Sequence, residues 1–422
     1  MNALERSATG EPASVIASLP AITIAAFCQT EGMAAVMRTA AADRRLSRAS
    51  CTIEPGGVAG AVQAFQGTVT PHVLIVECAV KPSEMLDALR PLAEVCDPST
   101  LVVVVGHVND VVLYRDLTRS GVAEYLVAPL HPLQIIDALA GLFRDPGHQP
   151  SGRIIAFTGA KGGVGSSTIA HNIAWLFAHR AKINTVVTDL DLAFGTSALN
   201  FNQDIAAGVA DAAAQADRLD PAFLDRLFTR YSDHLSLLSG TAALDQEGLL
   251  NETTVDAVLE SLRQSAPNII VDMPSAWTGW SRHTLINADD VIITATPELA
   301  AARNTRNILE LLRQSRQNDR PPCVVLNQTG VLKRPELTAA DFKTIIGVEP
   351  AVVINYDPVN FGTAATTGKI LCAMAPASKG ATQIAGLFTH LTKSRSAQPA
   401  ATNTGDKSSL IGMLQGMLSG KK

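Results

Sequence analysis

A glycine-rich turn between a predicted strand and a predicted helix constrains this chain more than any other feature. Residues 158–168 read Thr-Gly-Ala-Lys-Gly-Gly-Val-Gly-Ser-Ser-Thr. The apolar run 153–158 before the turn predicts a buried strand, and apolar residues at helical spacing predict a helix over 166–180. Such a unit is an anion site, because backbone N–H groups and the positive end of the helix face inward.

The turn departs from the standard phosphate-loop pattern, G-x-x-x-x-G-K-[ST], at its lysine. Ala160 stands at the first glycine, Gly165 at the second, Ser166 at the lysine and Ser167 at the magnesium-binding hydroxyl. A lysine does occur inside the loop, at Lys161. The predicted phosphate-binding residues are Gly162, Gly163, Val164, Gly165, Ser166, Ser167 and Thr168.

Acidic residues follow at the ends of two further predicted strands. A β-branched run ends at Asp189, with Asp191 two residues later, and the run 268–271 ends at Asp272. Ligands of open parallel sheets bind at the carboxyl ends of the strands. A third apolar run ends at Asn327, and one interpretation of this asparagine is that it caps a loop.

The Lys-Gly-Gly-Val-Gly order resembles the deviant phosphate loop of the ParA/MinD ATPases. The resemblance implies that ATP and Mg²⁺ bind here in a homodimer, and that Lys161 contacts either the nucleotide of its own subunit or that of the partner. It also implies that Asp191 orients the attacking water, while Ser167, Asp189 and Asp272 serve the magnesium ion. Asn327 corresponds to the position where this family recognises adenine.

Residues 20–145 alternate predicted strands and helices, which indicates a small parallel, doubly wound sheet. The clearest strands are 22–27, 72–76, 101–105 and 124–127, with helical patterns around 31–42, 83–94 and 110–119. The predicted fold class is therefore α/β with two doubly wound parallel-sheet domains.

Segment 124–133 resembles the final strand of response-regulator receiver domains, but the residues for phosphoryl transfer are replaced. Ala128 stands at the lysine, Glu77 at the phosphorylated aspartate, and Cys28 and Gln29 at the acidic pair. Without these groups a receiver cannot accept a phosphoryl group, so this half is predicted to be a pseudo-receiver for docking or dimerisation. Glu77 either imitates a phosphorylated aspartate or is a polar strand end without a switching role, and we favour the second interpretation.

A degenerate receiver followed by a deviant ATPase resembles the CpaE (TadZ) proteins of tight-adherence pilus systems. The resemblance implies that the protein forms a dimer and localises or assembles pilus or secretion machinery, for example at a cell pole. Ser166 supplies no positive charge to the phosphates, so hydrolysis is expected to be slow. The alternatives are a nucleotide-independent scaffold and a ParA-like DNA-partitioning ATPase. The net charge of −5 gives no support to nucleic-acid binding.

The predicted organisation has five segments: 1–19 flexible, 20–145 receiver-like, 152–392 ATPase, 393–407 linker and 408–422 an amphipathic helix. That last helix carries an apolar stripe and two terminal lysines, so it is predicted to dock on a partner or on a membrane surface. The sequence has no evident signal peptide, no run long enough to span a membrane and six scattered cysteines. We therefore expect a cytoplasmic protein, with peripheral contact at the inner membrane or pole.

Trp277 and Trp280 follow the predicted switch at Asp272. Two interpretations carry equal weight for them. The side chains either face a partner or pack against the neighbouring helix.

Overall fold

Two β-sheets organise the part of the chain that this computed structural model describes, residues 16–143, 151–204, 207–240 and 248–396. The first half contains β1 Thr23–Cys28, α1 Glu31–Ala41, β2 Ser50–Pro55, α2 Gly57–Ala64, β3 Val73–Glu77, α3 Met85–Val95, β4 Leu101–Gly106, α4 Val111–Arg119, β5 Glu124–Val127 and α5 Pro132–Leu142.

The first sheet has the strand order β2-β1-β3-β4-β5, and every neighbouring pair is parallel. This is the flavodoxin-like order of doubly wound folds. Helices α1 and α5 cover one face, and α2, α3 and α4 cover the other. The four predicted strands and three predicted helices are confirmed, with ends shifted by one or two residues.

The second half contains more elements. The strands are β6 Arg153–Gly159, β7 Thr185–Asp189, β8 Thr229–Ser232, β9 Leu235–Leu238, β10 Asn268–Asp272, β11 Asp290–Ala295, β12 Cys323–Thr329 and β13 Val352–Asn355. The helices are α6 Ser166–His179, α7 Ser197–Asn200, α8 Val209–Ala214, α9 Pro221–Leu227, α10 Glu252–Ser265, α11 Gly279–Asn287, α12 Leu299–Ser315, α13 Ala339–Ile346, α14 Pro358–Thr367, α15 Leu371–Met374 and α16 Lys379–Ser396.

The second sheet has the strand order β13-β12-β11-β6-β10-β7-β9-β8, with only β8 antiparallel to its neighbour. Strand β6 lies near the middle, between β11 and β10, and is buried along its whole length. Helix α6 packs on β6, β7 and β10. Helices α10, α11 and α12 contribute to the main apolar core of this half. The predicted α/β class with doubly wound parallel sheets is therefore confirmed.

A buried ionic cluster joins the two halves, and we call it the junction cluster: Asp43, Arg44, Arg45, Asp289, Arg316 and Asp319. The Arg44 guanidinium binds Asp319 at 2.7 Å and the Asn287 carbonyl at 2.6 Å, while Arg45 binds both Asp43 and Asp319. Asp43, Arg44 and Arg45 lie around a 3₁₀ turn of the first half. This turn is therefore fastened to the loops before β11 and after α12.

Several predicted segments lie wholly or mostly outside the described residues: the amphipathic helix 408–422, most of segment 1–19 and most of the stretch 144–152 between the two predicted domains. Helix α16 continues to Ser396, so the segment predicted as a linker from 393 begins as helix. All six cysteines carry free thiols, three of them buried and three partly exposed. Within the described ranges, no helix is long and apolar enough to cross a membrane.

Candidate functional site

The turn between β6 and α6 forms a loop, residues 160–165, whose backbone favours glycine at two positions. Gly163 has a φ of 78° and Gly165 a φ of 88°, a region that L side chains rarely adopt. A Cβ on Gly165 would also lie 2.6 Å from the Asn327 amide nitrogen. The glycines therefore let the backbone curl tightly ahead of α6.

Three amide side chains hold this loop in place. Asn327 donates to the Val164 carbonyl at 2.8 Å, Gln328 to the Gly163 carbonyl at 3.0 Å, and Asn304 to the Ala160 carbonyl at 2.9 Å. The hydrogen bond from Asn327 to the Val164 carbonyl fits the interpretation that Asn327 caps a loop. Its contact with adenine stays a prediction. Gln328 and Asn304 were not singled out from the sequence, because neither belongs to a recognisable motif.

The N-terminus of α6 has no side-chain cap. Gly165 stands at the capping position, and the first backbone N–H groups of a helix have no partners inside it. Ser166 is buried, and its hydroxyl oxygen has no hydrogen-bond partner among the described residues, while Ser167 and Thr168 are half-buried. An uncapped helix end next to a glycine loop fits the phosphates of a nucleotide.

Lys161 is bound by its own chain. Its ammonium group lies 2.5 Å from Oε1 of Glu298, and both side chains remain partly exposed, at 42% and 46%. The hydrogen bond from Lys161 lowers the pKa of Glu298. Glu298 immediately precedes α12, and sequence reasoning missed it.

The predicted magnesium ligands Asp189 and Asp272 lie side by side. They are direct partners in the pairing of β7 with β10, and both are buried, at 1% and 2% exposure. Asp189 accepts hydrogen bonds from the backbone N–H groups of Asp191 and Ser197, both at 3.1 Å. Burial, and then the charge of Asp272, raise the pKa of Asp189 to about 6.

His171 completes this group, and we call the three residues the His-Asp-Asp cluster. Its Nε2 atom lies 3.3 Å from Oδ2 of Asp272, and the imidazole is completely buried. One ligand atom from each of His171, Asp189 and Asp272 lies within 4.8 Å of the others. The sequence signal was a single histidine on the apolar face of α6, which does not distinguish a ligand from a core residue.

Asp191 and the two tryptophans take distinct positions. The Asp191 carboxylate accepts from the Phe194 backbone at 2.9 Å and so closes the turn after β7. Its role in orienting water stays a prediction. Trp280 packs against the main core, whereas Trp277 is 50% exposed. The packing interpretation therefore fits Trp280, and the exposed side chain of Trp277 is available to a partner.

The residues present fit a Mg²⁺ ion. A cation stabilises buried carboxylates that face one another, and oxygen ligands are those that Mg²⁺ prefers. Oδ1 of Asp272 is buried without a hydrogen-bond partner among the described residues. Asp189, Asp272 and the Ser167 hydroxyl are the candidates for holding the ion, which would neutralise phosphate charge.

Parts of this chain are similar to known proteins. The family model described as an AAA domain matches residues 152–322. The septum site-determining protein MinD of Bacillus subtilis is 28% identical over 178 residues, which are 42% of this chain and 65% of that protein. The chain thus spans less than two thirds of this relative.

Two solved structures extend the comparison. MinD of Pyrococcus horikoshii, complexed with Mg-ADP, is 20% identical, covers 57% of this chain and 96% of its own, and has a TM-score of 0.50. At that identity the likeness concerns the fold alone. The second half has the MinD/ParA-like P-loop fold.

The second solved structure that is similar to this chain is that of a pilus assembly protein CpaE from Caulobacter crescentus. It is 47% identical and covers 31% of this chain and 100% of its own, with a TM-score of 0.30. In this chain Ser166 stands at the lysine position of the phosphate-loop pattern, and His171 lies next to the paired aspartates.

Proposed function

We propose that this protein is a nucleotide switch of the MinD/ParA type that acts in pilus assembly. It binds ATP with Mg²⁺, forms a homodimer through the second half, and changes its partners with the state of the nucleotide. The observation that carries the nucleotide part is the uncapped N-terminus of α6 beside a loop with two left-handed glycines. The MinD/ParA-like fold supports the same conclusion.

The pilus part of the proposal is supported by the sequence resemblance to CpaE proteins carried by residues 159–168 and 189–195. The similar protein from Caulobacter crescentus is described as a pilus assembly protein CpaE, and the proposed role takes its name from that description. Placement of pilus or secretion machinery at a pole, and contact with a membrane or partner through residues 408–422, belong to the same proposal.

The missing charge at Ser166 predicts a slow enzyme. A loop lysine places a positive charge on the phosphates, and such a charge stabilises the transition state more than the ground state. Here the binding groups are backbone N–H groups, the hydroxyls of Ser167 and Thr168 and the ion held by Asp189 and Asp272. The chain therefore fits a binding switch better than a fast catalyst.

Calorimetric titration of the full-length protein with Mg-ATP tests the nucleotide site. We expect a dissociation constant in the micromolar range or tighter, about −8 kcal/mol. Ser166→Lys should tighten binding and raise ATP turnover at least about tenfold. Ser275→Lys is the matched control, because Ser275 lies beside Gly162 without occupying the lysine position.

The outcome that contradicts a nucleotide switch is also defined. No binding by the natural sequence, with binding gained in Ser166→Lys, would mean that the fold serves as a nucleotide-independent scaffold. Equal effects of Ser166→Lys and Ser275→Lys would mean that charge alone, and not the lysine position, sets the affinity.

Dimerisation is tested through Lys161. If Lys161 reaches the nucleotide of a partner subunit, Lys161→Ala should abolish the ATP-dependent dimer seen by size exclusion with light scattering. Lys343→Ala is the control, since Lys343 also forms a partly exposed ion pair, with Glu349 at 2.8 Å. A dimer that persists in Lys161→Ala would rule out this role for the lysine.

A further inference from the structure

The His-Asp-Asp cluster contains more negative charge than its surroundings balance. Within the described residues, neither Asp189 nor Asp272 forms an ion pair with a lysine or arginine, and their charged neighbour is His171 at most. Two buried polar atoms lack a hydrogen bond there: Oδ1 of Asp272, and Nε2 of His171, which faces Oδ2 of Asp272 at 3.3 Å without hydrogen-bond geometry. Unpaired buried groups of this kind are costly, so they point to a ligand.

We propose that His171, Asp189 and Asp272 form a binding site for a divalent transition-metal ion, Zn²⁺ or Mn²⁺, next to the phosphate loop. The three ligand atoms come from α6, the end of β7 and the end of β10. The site shares its two carboxylates with the proposed magnesium site, and it therefore rests in part on the proposed function.

The geometry suits a small metal ion. Two ligands that bind one ion at about 2.1 Å lie roughly 3.0–3.4 Å apart. The 3.3 Å between Nε2 of His171 and Oδ2 of Asp272 falls in that range. The third ligand atom, from Asp189, lies within 4.8 Å of both, so a small movement of that carboxylate would complete the set.

Asn200 orients the imidazole. Its amide nitrogen lies 2.9 Å from Nδ1 of His171 and 3.2 Å from the Thr196 hydroxyl. A metal ion needs the lone pair of Nε2, so the ring proton must reside on Nδ1, where the Asn200 carbonyl oxygen accepts it after a turn of the amide. Asn200 is thus a positioning residue for the site.

The imidazole decides which ion is preferred. Mg²⁺ selects oxygen ligands and keeps several waters, which a fully buried nitrogen ligand does not favour. Zn²⁺ and Mn²⁺ accept mixed nitrogen and carboxylate ligands. A protein that has this histidine beside the usual carboxylates should therefore discriminate against Mg²⁺ in the absence of nucleotide.

The test is calorimetric titration of the full-length, nucleotide-free protein with ZnCl₂, MnCl₂ and MgCl₂, with Mn²⁺ followed in parallel by electron paramagnetic resonance. We expect one ion per chain, bound at least about tenfold more tightly for Zn²⁺ and Mn²⁺ than for Mg²⁺. His171→Gln should weaken Zn²⁺ and Mn²⁺ binding by on the order of 100-fold. His283→Gln is the control. His283 belongs to a partly exposed histidine–aspartate pair, and its replacement should leave the affinity for each metal ion unchanged.

A second pair of variants keeps the test decisive if His171→Gln does not fold. Asn200→Asp should strengthen Zn²⁺ binding, because a carboxylate accepts the Nδ1 proton better, and Asn200→Leu should weaken it about tenfold. Equal affinity for Mg²⁺ and Mn²⁺, or unchanged binding in His171→Gln, would overturn the proposal. Because no nucleotide is present, failure here leaves the ATP titration unaffected, and the two proposals can fail separately.

Discussion

The junction cluster and the His-Asp-Asp cluster are both buried groups of charged side chains, but they are balanced differently. In the junction cluster, Arg44, Arg45 and Arg316 face Asp43, Asp289 and Asp319 at ion-pair distances. Its unsatisfied atoms among the described residues are the Nε groups of Arg45 and Arg316. In the His-Asp-Asp cluster, two carboxylates share one imidazole.

This difference separates structural from functional burial of charge. A buried ion pair holds two parts of a fold in register when each charge has its counter-charge. A buried carboxylate pair without one is retained at a cost in stability, which makes it a candidate for binding a cation. Removal of a charged group should therefore destabilise the protein at the junction cluster and stabilise the ligand-free protein at the His-Asp-Asp cluster.

The largest effect is expected at the junction. Arg44→Met leaves Asp319 buried without its main partner, so it should lower the free energy of unfolding by about 3–5 kcal/mol. Urea unfolding followed by tryptophan fluorescence measures this. Arg306→Met is the control, because Arg306 pairs with Glu310 at the surface and should cost less than about 0.5 kcal/mol. Similar values for both variants would contradict a structural role for the junction.

The second largest effect is expected from acid, which should lower the stability that the junction cluster contributes. Burial alone would raise the pKa of Asp289, but Arg263 and Arg44 outweigh it and lower that pKa to about 2, from an ordinary value of 3.8. Since the unfolded chain takes up the proton first, the stabilisation is present above pH 3.8 and is lost as the pH falls toward 2. The loss amounts to about 2 kcal/mol.

Asp289→Asn isolates this contribution. The variant should lose less stability than the natural protein between about pH 4 and about pH 2, by about 2 kcal/mol. Asp256→Asn, at a partly exposed aspartate, should follow the natural protein. Parallel curves for Asp289→Asn and the natural sequence would mean that Asp289 does not carry the acid sensitivity.

The sequence predicted two of the three residues of the His-Asp-Asp cluster and none of the residues of the junction cluster. Asp189 and Asp272 were found because each ends an apolar strand, and neighbouring parallel strands bring such ends together. His171 was missed, since a histidine within a helix shows its neighbours only once β7 and β10 are paired. The junction was invisible because Arg44 and Asp319 are 275 residues apart and belong to no motif.

The same limit applies to the loop. Its glycines, with Ser166 and Ser167, follow from local spacing, and their place at the end of β6 follows from the strand–helix pattern. The contacts of Asn327 with Val164 and of Lys161 with Glu298 depend on how β11, β12 and α12 dock, which local pattern does not specify. Side-chain partners over such distances are settled by tertiary packing.

A smaller effect of opposite sign is expected at the His-Asp-Asp cluster. Asp272→Asn removes one of two adjacent buried charges and keeps an oxygen that can face His171. The ligand-free variant should therefore gain about 1 kcal/mol in the free energy of unfolding, while its binding of Mg-ATP falls. Asp256→Asn again serves as the exposed control. A loss of stability in Asp272→Asn would mean that this charge is already balanced, and the contrast with the junction would fail.

The smallest change in stability is expected where Lys161 meets Glu298, at the surface. Glu298→Gln should alter the free energy of unfolding by less than about 0.5 kcal/mol, because partly exposed pairs contribute little. It frees Lys161, however, so ATP-dependent dimerisation should occur at lower protein concentration. Light scattering across a dilution series measures that shift, with Glu310→Gln as the control. An unchanged concentration dependence would show that the ion pair with Glu298 does not restrain Lys161.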